Sequence, residues 1–331
     1  MTTSVLRTAD AWWVCTPTGA AKLTTTATTT AELLADRAAI TAAGAATDTV
    51  PVDSLALVSP VTTPCRVVAL ATNYLSHIRD TGLDPDTVAC TFFRKASGSI
   101  SGPYDDVIKP SHVRLLDYEL EIGLVFDRPM PVGTTVTADT LADYVAGLVV
   151  TNDISARDIQ LPKGQYFESK SYPTFTPVGP ALVLVDTDEL RRFTDLRLRL
   201  WVNGELRQNM TAADMLYRPV EALQTLTGFQ RLDPGDLLLT GTPVGTAISA
   251  PTKPVQVIAS VLPPAVKWKS FLDSQARNPK YLHDGDVVQA TVATDDGAID
   301  LGTQRTVVRY ADEQPPAAAR HTVAASGSAP S

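Results

Sequence analysis

Cysteine is scarce in this chain. The three residues Cys15, Cys65 and Cys90 are odd in number, far apart and form no CxxC pair. That spacing argues against a disulfide framework and against a structural zinc site. No Lys/Arg cluster interrupts a net charge of −8, so the electrostatic footprint of a nucleic-acid binder is missing. Long apolar runs are missing too. VAGLVV is among the longest and falls far short of a bilayer span. The first residues, MTTSVLRTADAWWV, lack the basic region and apolar core of a secretory signal, so the expectation is a soluble, cytoplasmic protein with no nucleic-acid or membrane partner. What is present, 44% hydrophobic and 19% charged residues over 331 positions, suits a folded globular chain with a sizeable core.

Strand signals outnumber helix signals. AWWVCT, RVVALATNY, CTFFRK, VAGLVVTND and GDLLLTGTPVG read as strands, and DLRLRLWVNGELRQ as a hairpin turning at Asn203-Gly204. GDVVQATVATDDGAIDLGTQRTVV reads as a closing pair of strands. TAELLADRAAITAA and TADTLADYVAG read as helices, ISARDIQ as a helical turn, and TAADMLYRPVEALQTLT as a helix that Pro219 kinks or breaks. The balance predicts an α+β fold, mainly β, rather than alternating βαβ units. A Thr/Ala-rich stretch ending at Pro51, Pro60 and Pro64 sets residues 1–62 apart as a small N-terminal domain. Residues 63–312 form the main domain, and the Pro/Ala/Ser-rich residues 313–331 a disordered tail.

Within the main domain, LLDYELEIGLVF carries an unusual feature. Asp117, Glu119 and Glu121 alternate along a predicted strand of about 115–127, so they share one face, while Tyr118, Leu120, Ile122 and Leu124 share the other. Acidic residues are depleted in strands, and a hard divalent cation with oxygen ligands is one explanation for several together. Residues two apart on a strand sit roughly 6.5–7 Å apart at Cα, close enough for two Glu side chains to converge on one ion, with Asp153 of VVTNDISARDIQ as a third ligand. A solvated strand edge is the plainer alternative. In ATNYLSHIRD, His77 and Asp80 are three apart and would share a helix face, a pairing that would raise the basicity of the imidazole. Lys170 lies in an apolar, proline-rich stretch and could face a developing negative charge. Arg157 and Gln160 follow Asp153 by four and seven residues, so one helical turn could aim both at a ligand, and Thr242 ends a strand. Each of these also has an ordinary surface reading.

Taken in order, NYLSH, DYELEIGLVF, NDISARDIQ, KSYPTFTPVGP, VNGELRQ and LLLTGTPVG resemble the fumarylacetoacetate hydrolase family over about residues 65–245, and the closing strands fit as well. The resemblance implies a mixed β-roll, usually homodimeric, with a divalent metal in the roll. It implies Glu119, Glu121 and Asp153 as ligands of Mg2+, with Mn2+ or Ca2+ possible. It implies His77 as a base oriented by Asp80, and Lys170 near developing charge. Arg157, Gln160, Tyr74 and Thr242 would contact the substrate, and Asp117 would support the ligands from behind. The activity it implies is hydrolysis of a carbon–carbon bond in an acylpyruvate-like 1,3-dicarbonyl acid. Decarboxylation, hydration or isomerisation of a related 2-oxo acid on the same site is the alternative, and a non-catalytic relative a more distant one. The chain departs from the family pattern at Asp80, where Glu is frequent, at Pro173, where Asp is frequent, and in an insert at about 250–282 containing Trp268 and Phe271.

Overall fold

The computed structural model describes residues 2–248 and 263–312. Two sheets carry the fold. The larger has nine strands, in the order Gly19–Lys22, Trp12–Thr16, Thr3–Arg7, Leu182–Leu184, Val145–Asn152, Leu120–Phe126, Leu237–Leu239, Val67–Ala71 and Thr91–Lys95. The second has five, in the order Glu205–Thr211, Leu196–Val202, Val287–Thr294, Asp300–Tyr310 and Val107–Lys109. The mainly-β α+β class expected from the sequence is therefore the class observed.

The centre of the large sheet is mostly apolar, with Glu121, Thr151 and Asn152 as its polar members. Every residue of Leu120–Phe126 and of Val145–Asn152 is buried. Continuous apolar runs of this kind mark strands covered on both faces. This explains one misreading. TADTLADYVAG carries capping and periodic signals, yet only Leu141–Asp143 forms a single 3₁₀ turn, and from Val145 the chain is a central strand. Burial between two neighbouring strands overrides weak helical propensity here. Pro219 neither kinks nor breaks a helix: it starts one, Pro219–Thr227, at the first-turn position where its missing N–H costs nothing. TAELLADRAAITAA is two helices, Thr30–Ala35 and Arg37–Gly44, because Asp36 ends the first and caps the second, accepting from Ala39 N at 3.2 Å. The Asn203-Gly204 turn is as expected, with φ of 52° and 80° at the two residues, the backbone a two-residue hairpin requires.

The first 62 residues supply three strands at one end of the large sheet, joined through Thr3–Arg7 and its antiparallel partner Leu182–Leu184. The tail beyond 312 and residues 250–262 of the insert lie outside the described residues. The rest of the insert contains the helix Pro264–Gln275, and Leu282 N then donates to Leu116 O at 2.8 Å, so the insert returns beside the acidic segment.

The acidic segment itself is not one strand. Leu116–Asp117 pairs with Ser155–Ala156, Leu120–Phe126 pairs within the large sheet, and Tyr118 and Glu119 form the step between them. That step decides which carboxylates meet.

Candidate active site

Register brings the acids together. Glu121 lies opposite Thr151 and Leu120 opposite Asn152 in the antiparallel pair, and Asp153 N donates to Glu119 O at 2.8 Å. Asn152 Oδ1 accepts from Glu119 N at 2.9 Å, fixing the step. Glu119, Glu121 and Asp153 each present an oxygen within 4.8 Å of the others, and all three are buried. Asp117 does not join them. It turns to Arg157 Nε at 2.8 Å and to the amides of Ala247 at 2.7 Å and Ile248 at 3.2 Å, so it braces the arginine and a loop. Its expected shared face with Glu119 is lost at the step, and its expected supporting place is what the geometry gives.

Cations surround the triad. Lys170 Nζ lies 2.5 Å from both Glu119 and Asp153, and Arg157 Nη2 also bonds Glu119. Arg157 and Gln160 share a face of the helix Arg157–Lys163 and bond each other at 2.8 Å. Sequence reasoning missed one member. Lys95, with a fully buried side chain, bonds Asp153 and also donates to Phe175 O at 2.9 Å. It ends an edge strand, where a lysine ordinarily reads as a device against edge pairing, so the sequence carried no signal for burial.

Three cations thus face four carboxylates, and the mismatch falls on Glu121. Glu121 is 1% exposed, and among the described residues it has no salt-bridge partner; Gly241 N donates to it at 2.6 Å. Burial, then the charges of Asp153 and Glu119, push its carboxyl well above the usual range. Burial also pushes Glu119 upward, but Arg157 and Lys170 outweigh it and hold that carboxyl well below the usual range. For Lys170, burial works against the charge and Asp153 and Glu119 more than restore it. Gly241 sits at φ +86°, and an added Cβ would meet Asn73 Cβ at 2.7 Å, so only glycine delivers that amide to Glu121. Asn73 braces the same corner, bonding Tyr217 O, Thr240 O and Tyr217 N at 2.8 Å each.

An all-oxygen donor set in which one buried carboxylate has no salt-bridge partner among the described residues fits a hard divalent ion. Glu119 and Glu121 of the triad open onto a cavity of about 150 Å³, which His77, Arg157, Gln160, Lys170 and Thr242 also line, together with the apolar groups of Phe93, Leu161, Tyr166 and Ile248; Asp153 lies behind them. Thr242 accepts from Gln208 and donates to Leu120 O at 3.0 Å, so its hydroxyl is already engaged. His77 lines the cavity with its pKa lowered by burial, hence neutral near pH 7. The expected His77–Asp80 pairing is not formed. Asp80 is exposed at the end of the helix Leu75–Asp80, and His77 Nδ1 has no hydrogen-bond partner among the described residues. Three residues along a helix bring side chains near, but here one faces the interior and the other water. Tyr74, expected against the substrate, is fully buried with its hydroxyl unpartnered among the described residues, and it does not line the cavity. A larger open cleft of about 560 Å³ lies beside the helix Arg37–Gly44, remote from these groups.

A model of the fumarylacetoacetate hydrolase C-terminal region matches residues 66–309. The chain belongs to the fumarylacetoacetate hydrolase family. Among curated relatives, the mitochondrial oxaloacetate tautomerase Fahd2a of Rattus norvegicus is 34% identical over 200 residues, 60% of this chain and 62% of that protein. The match thus spans less than two thirds of that relative. Among solved structures, a probable 2-hydroxyhepta-2,4-diene-1,7-dioate isomerase from Mycobacterium abscessus aligns with a TM-score of 0.70 and 31% identity, covering 95% of this chain and all of that one. A 2-hydroxyhepta-2,4-diene-1,7-dioate isomerase from Mycobacterium marinum, at 23% identity and a TM-score of 0.66, shares the fold over 95% of this chain and all of its own. Named members of this family are enzymes that act on carbon skeletons, and this chain is read as one of them. Among the described residues no helix is long and apolar enough to cross a membrane.

Proposed function

We propose that this protein is a metal-dependent tautomerase or isomerase of a 2-oxo acid. The observation that carries the reading is Glu121, buried beside two other carboxylates with no salt-bridge partner among the described residues. Glu119, Glu121 and Asp153 would hold a divalent ion, with Mg2+ the first candidate and Mn2+ or Ca2+ the others. Such an ion supplies Lewis-acid stabilisation of negative charge on a 2-oxo group. The remaining work falls to side chains. Arg157 and Lys170 neutralise the acid's carboxylate and keep the reacting oxygen close to positive charge. Gln160 fixes the guanidinium plane, and Thr242 closes the cavity at the strand end. His77, neutral and facing the cavity, takes a proton from the carbon next to the 2-oxo group and delivers it to the 2-oxo oxygen to give the enol, and the reverse transfer regenerates the keto form.

The names of the relatives support proton transfer: one is an oxaloacetate tautomerase and another a probable isomerase. Carbon–carbon hydrolysis of an acylpyruvate-like acid is the second reading. It needs a water activated by a base, and it is favoured by His77 lining the cavity; it loses the support of a His77–Asp80 contact. Homodimerisation belongs to the same proposal. The test follows enol absorbance of oxaloacetate and of an acylpyruvate with Mg2+, together with product analysis. Faster keto–enol exchange without cleavage, abolished by EDTA and by Glu121→Gln, is expected. Cleavage of the acylpyruvate, lost in His77→Ala, would replace this reading with the hydrolytic one.

A further inference from the structure

The cavity lining is of two chemical kinds, charged and apolar, and Phe93 touches members of both. On one side Lys170 Nζ lies 5.2 Å from the centre of the Phe93 ring. Tyr166 stacks on Phe93 with centroids 5.0 Å apart and planes at 23°. Tyr166 and Lys170 are four residues apart, and Lys170 N donates to Tyr166 O at 3.1 Å, so the helical turn presents both to the cavity. Lys170, bonded to Glu119 and Asp153, thus touches Phe93, and Phe93 touches Tyr166, while Leu161 and Ile248 also line the cavity.

The charged lining residues, Glu119, Glu121, Arg157 and Lys170, all belong to the carboxylate centre. Among the described lining residues the permanent cations are Arg157 and Lys170, and both are already committed there. Arg157 bonds Asp117, Glu119 and Gln160 through its three nitrogens, and Lys170 bonds Glu119 and Asp153. They can serve one carboxylate next to the reacting carbon. A second carboxylate at the far end of the substrate would lie against Phe93, Tyr166 and Leu161, where the described lining cation beside Phe93, Lys170, is already bonded to Glu119 and Asp153, which is unfavourable for a partly desolvated charge. A flat unsaturated or aromatic group would instead stack on that wall.

We infer that the site prefers 2-oxo acids with a single carboxylate and a planar apolar tail over dicarboxylates such as oxaloacetate, and that Tyr166, stacked on Phe93, determines this preference. The inference rests on the proposed 2-oxo acid reading of the site. Two compounds with the same oxamate head separate the tail from the head: N-phenyloxamate carries an aryl tail, and N-oxalylglycine a carboxylate tail. Calorimetric titration of the Mg2+-loaded protein is expected to show N-phenyloxamate binding at least about tenfold tighter. Tyr166→Ala is expected to remove most of that advantage while leaving N-oxalylglycine within about twofold, and Tyr166→Phe to retain it, since stacking needs the ring and not the hydroxyl. Tighter binding of N-oxalylglycine, or equal weakening of both compounds in Tyr166→Ala, overturns the specificity and leaves the 2-oxo acid reading standing. Binding of neither compound by protein shown to hold Mg2+ overturns that reading, and the specificity with it.

Discussion

At the scale of a single residue, the proposed chemistry turns on Glu121. A buried carboxylate without a cation destabilises the folded chain unless something neutralises it. Glu121→Gln keeps the shape and removes the charge. Without metal, the variant is expected to melt roughly 2–4 °C above the parent chain, the shift of about 1 kcal/mol in a protein this large. Mg2+ at a hundred times its dissociation constant should raise the parent's stability by about 2.7 kcal/mol and the variant's by nearly nothing. Scanning calorimetry of both proteins with Mg2+ and with EDTA decides it; an equal Mg2+ response would remove Glu121 from the ligand set. Backbone strain gives a second case. Thr72 and Thr174 sit at φ of 50° and 70°, a region that β-branched residues rarely adopt. Thr174 has a local reason, because its hydroxyl accepts from Ile108 N at 2.8 Å. Thr72 has no such bond among the described residues and lines the cavity. Thr72→Gly should therefore gain about 0.5–1 kcal/mol in urea unfolding, whereas Thr174→Gly should gain nothing or lose stability.

At the scale of elements, what could be read from the sequence followed the strength of local signals. The Asn203-Gly204 hairpin was legible because two residues with φ > 0 and flanking alternation have few other solutions. The meeting of Glu119 and Glu121 was legible because side chains two positions apart stay close even though Glu119 falls on the step before the strand Leu120–Phe126. The helix expected near 138–147 was not, since its periodicity competes with a central position in a sheet that only the full fold reveals. The His77–Asp80 pair failed for a similar reason: helical spacing fixes which residues are neighbours but not how the helix is rolled against the core. Lys95 was invisible, because whether an edge-strand lysine points to water or inward depends on Asp153, 58 residues away. The loop carrying Gly241 links these elements, since its amide reaches Glu121 from the end of Leu237–Leu239. Gly241→Ala combines an unfavourable φ with a contact on Asn73 Cβ at 2.7 Å. It should weaken Mg2+ binding at least about tenfold and cost roughly 1–3 kcal/mol of stability. Unchanged affinity by calorimetry would show that the amide plays no part in holding Glu121.

For the molecule as a whole, the question is whether the first 62 residues form an independent unit, as their composition suggests. Their packing argues against it. Val5, Trp12, Val14, Leu23, Leu33, Leu34, Ile40 and Val61 form one cluster with Val67, Ala69, Val149, Leu182 and Leu239, which are residues of the main sheet. Thr3–Arg7 also covers the edge of Leu182–Leu184, which would otherwise expose unpaired backbone. Each large side chain in such a cluster contributes about 1.5–3 kcal/mol, so removing eight of them approaches or exceeds a typical net stability of about 5–15 kcal/mol. A chain beginning at residue 63 is therefore expected to aggregate or to lack a cooperative thermal transition, even though the carboxylate triad, Lys95, Arg157 and Lys170 all lie within it. Adding residues 1–62 as a separate polypeptide should restore a cooperative transition, because the lost contacts are mainly between the two pieces. A truncated chain that melts cooperatively and still responds to Mg2+ would show that the main sheet closes its core unaided, and that the N-terminal strands are an addition to a self-sufficient fold.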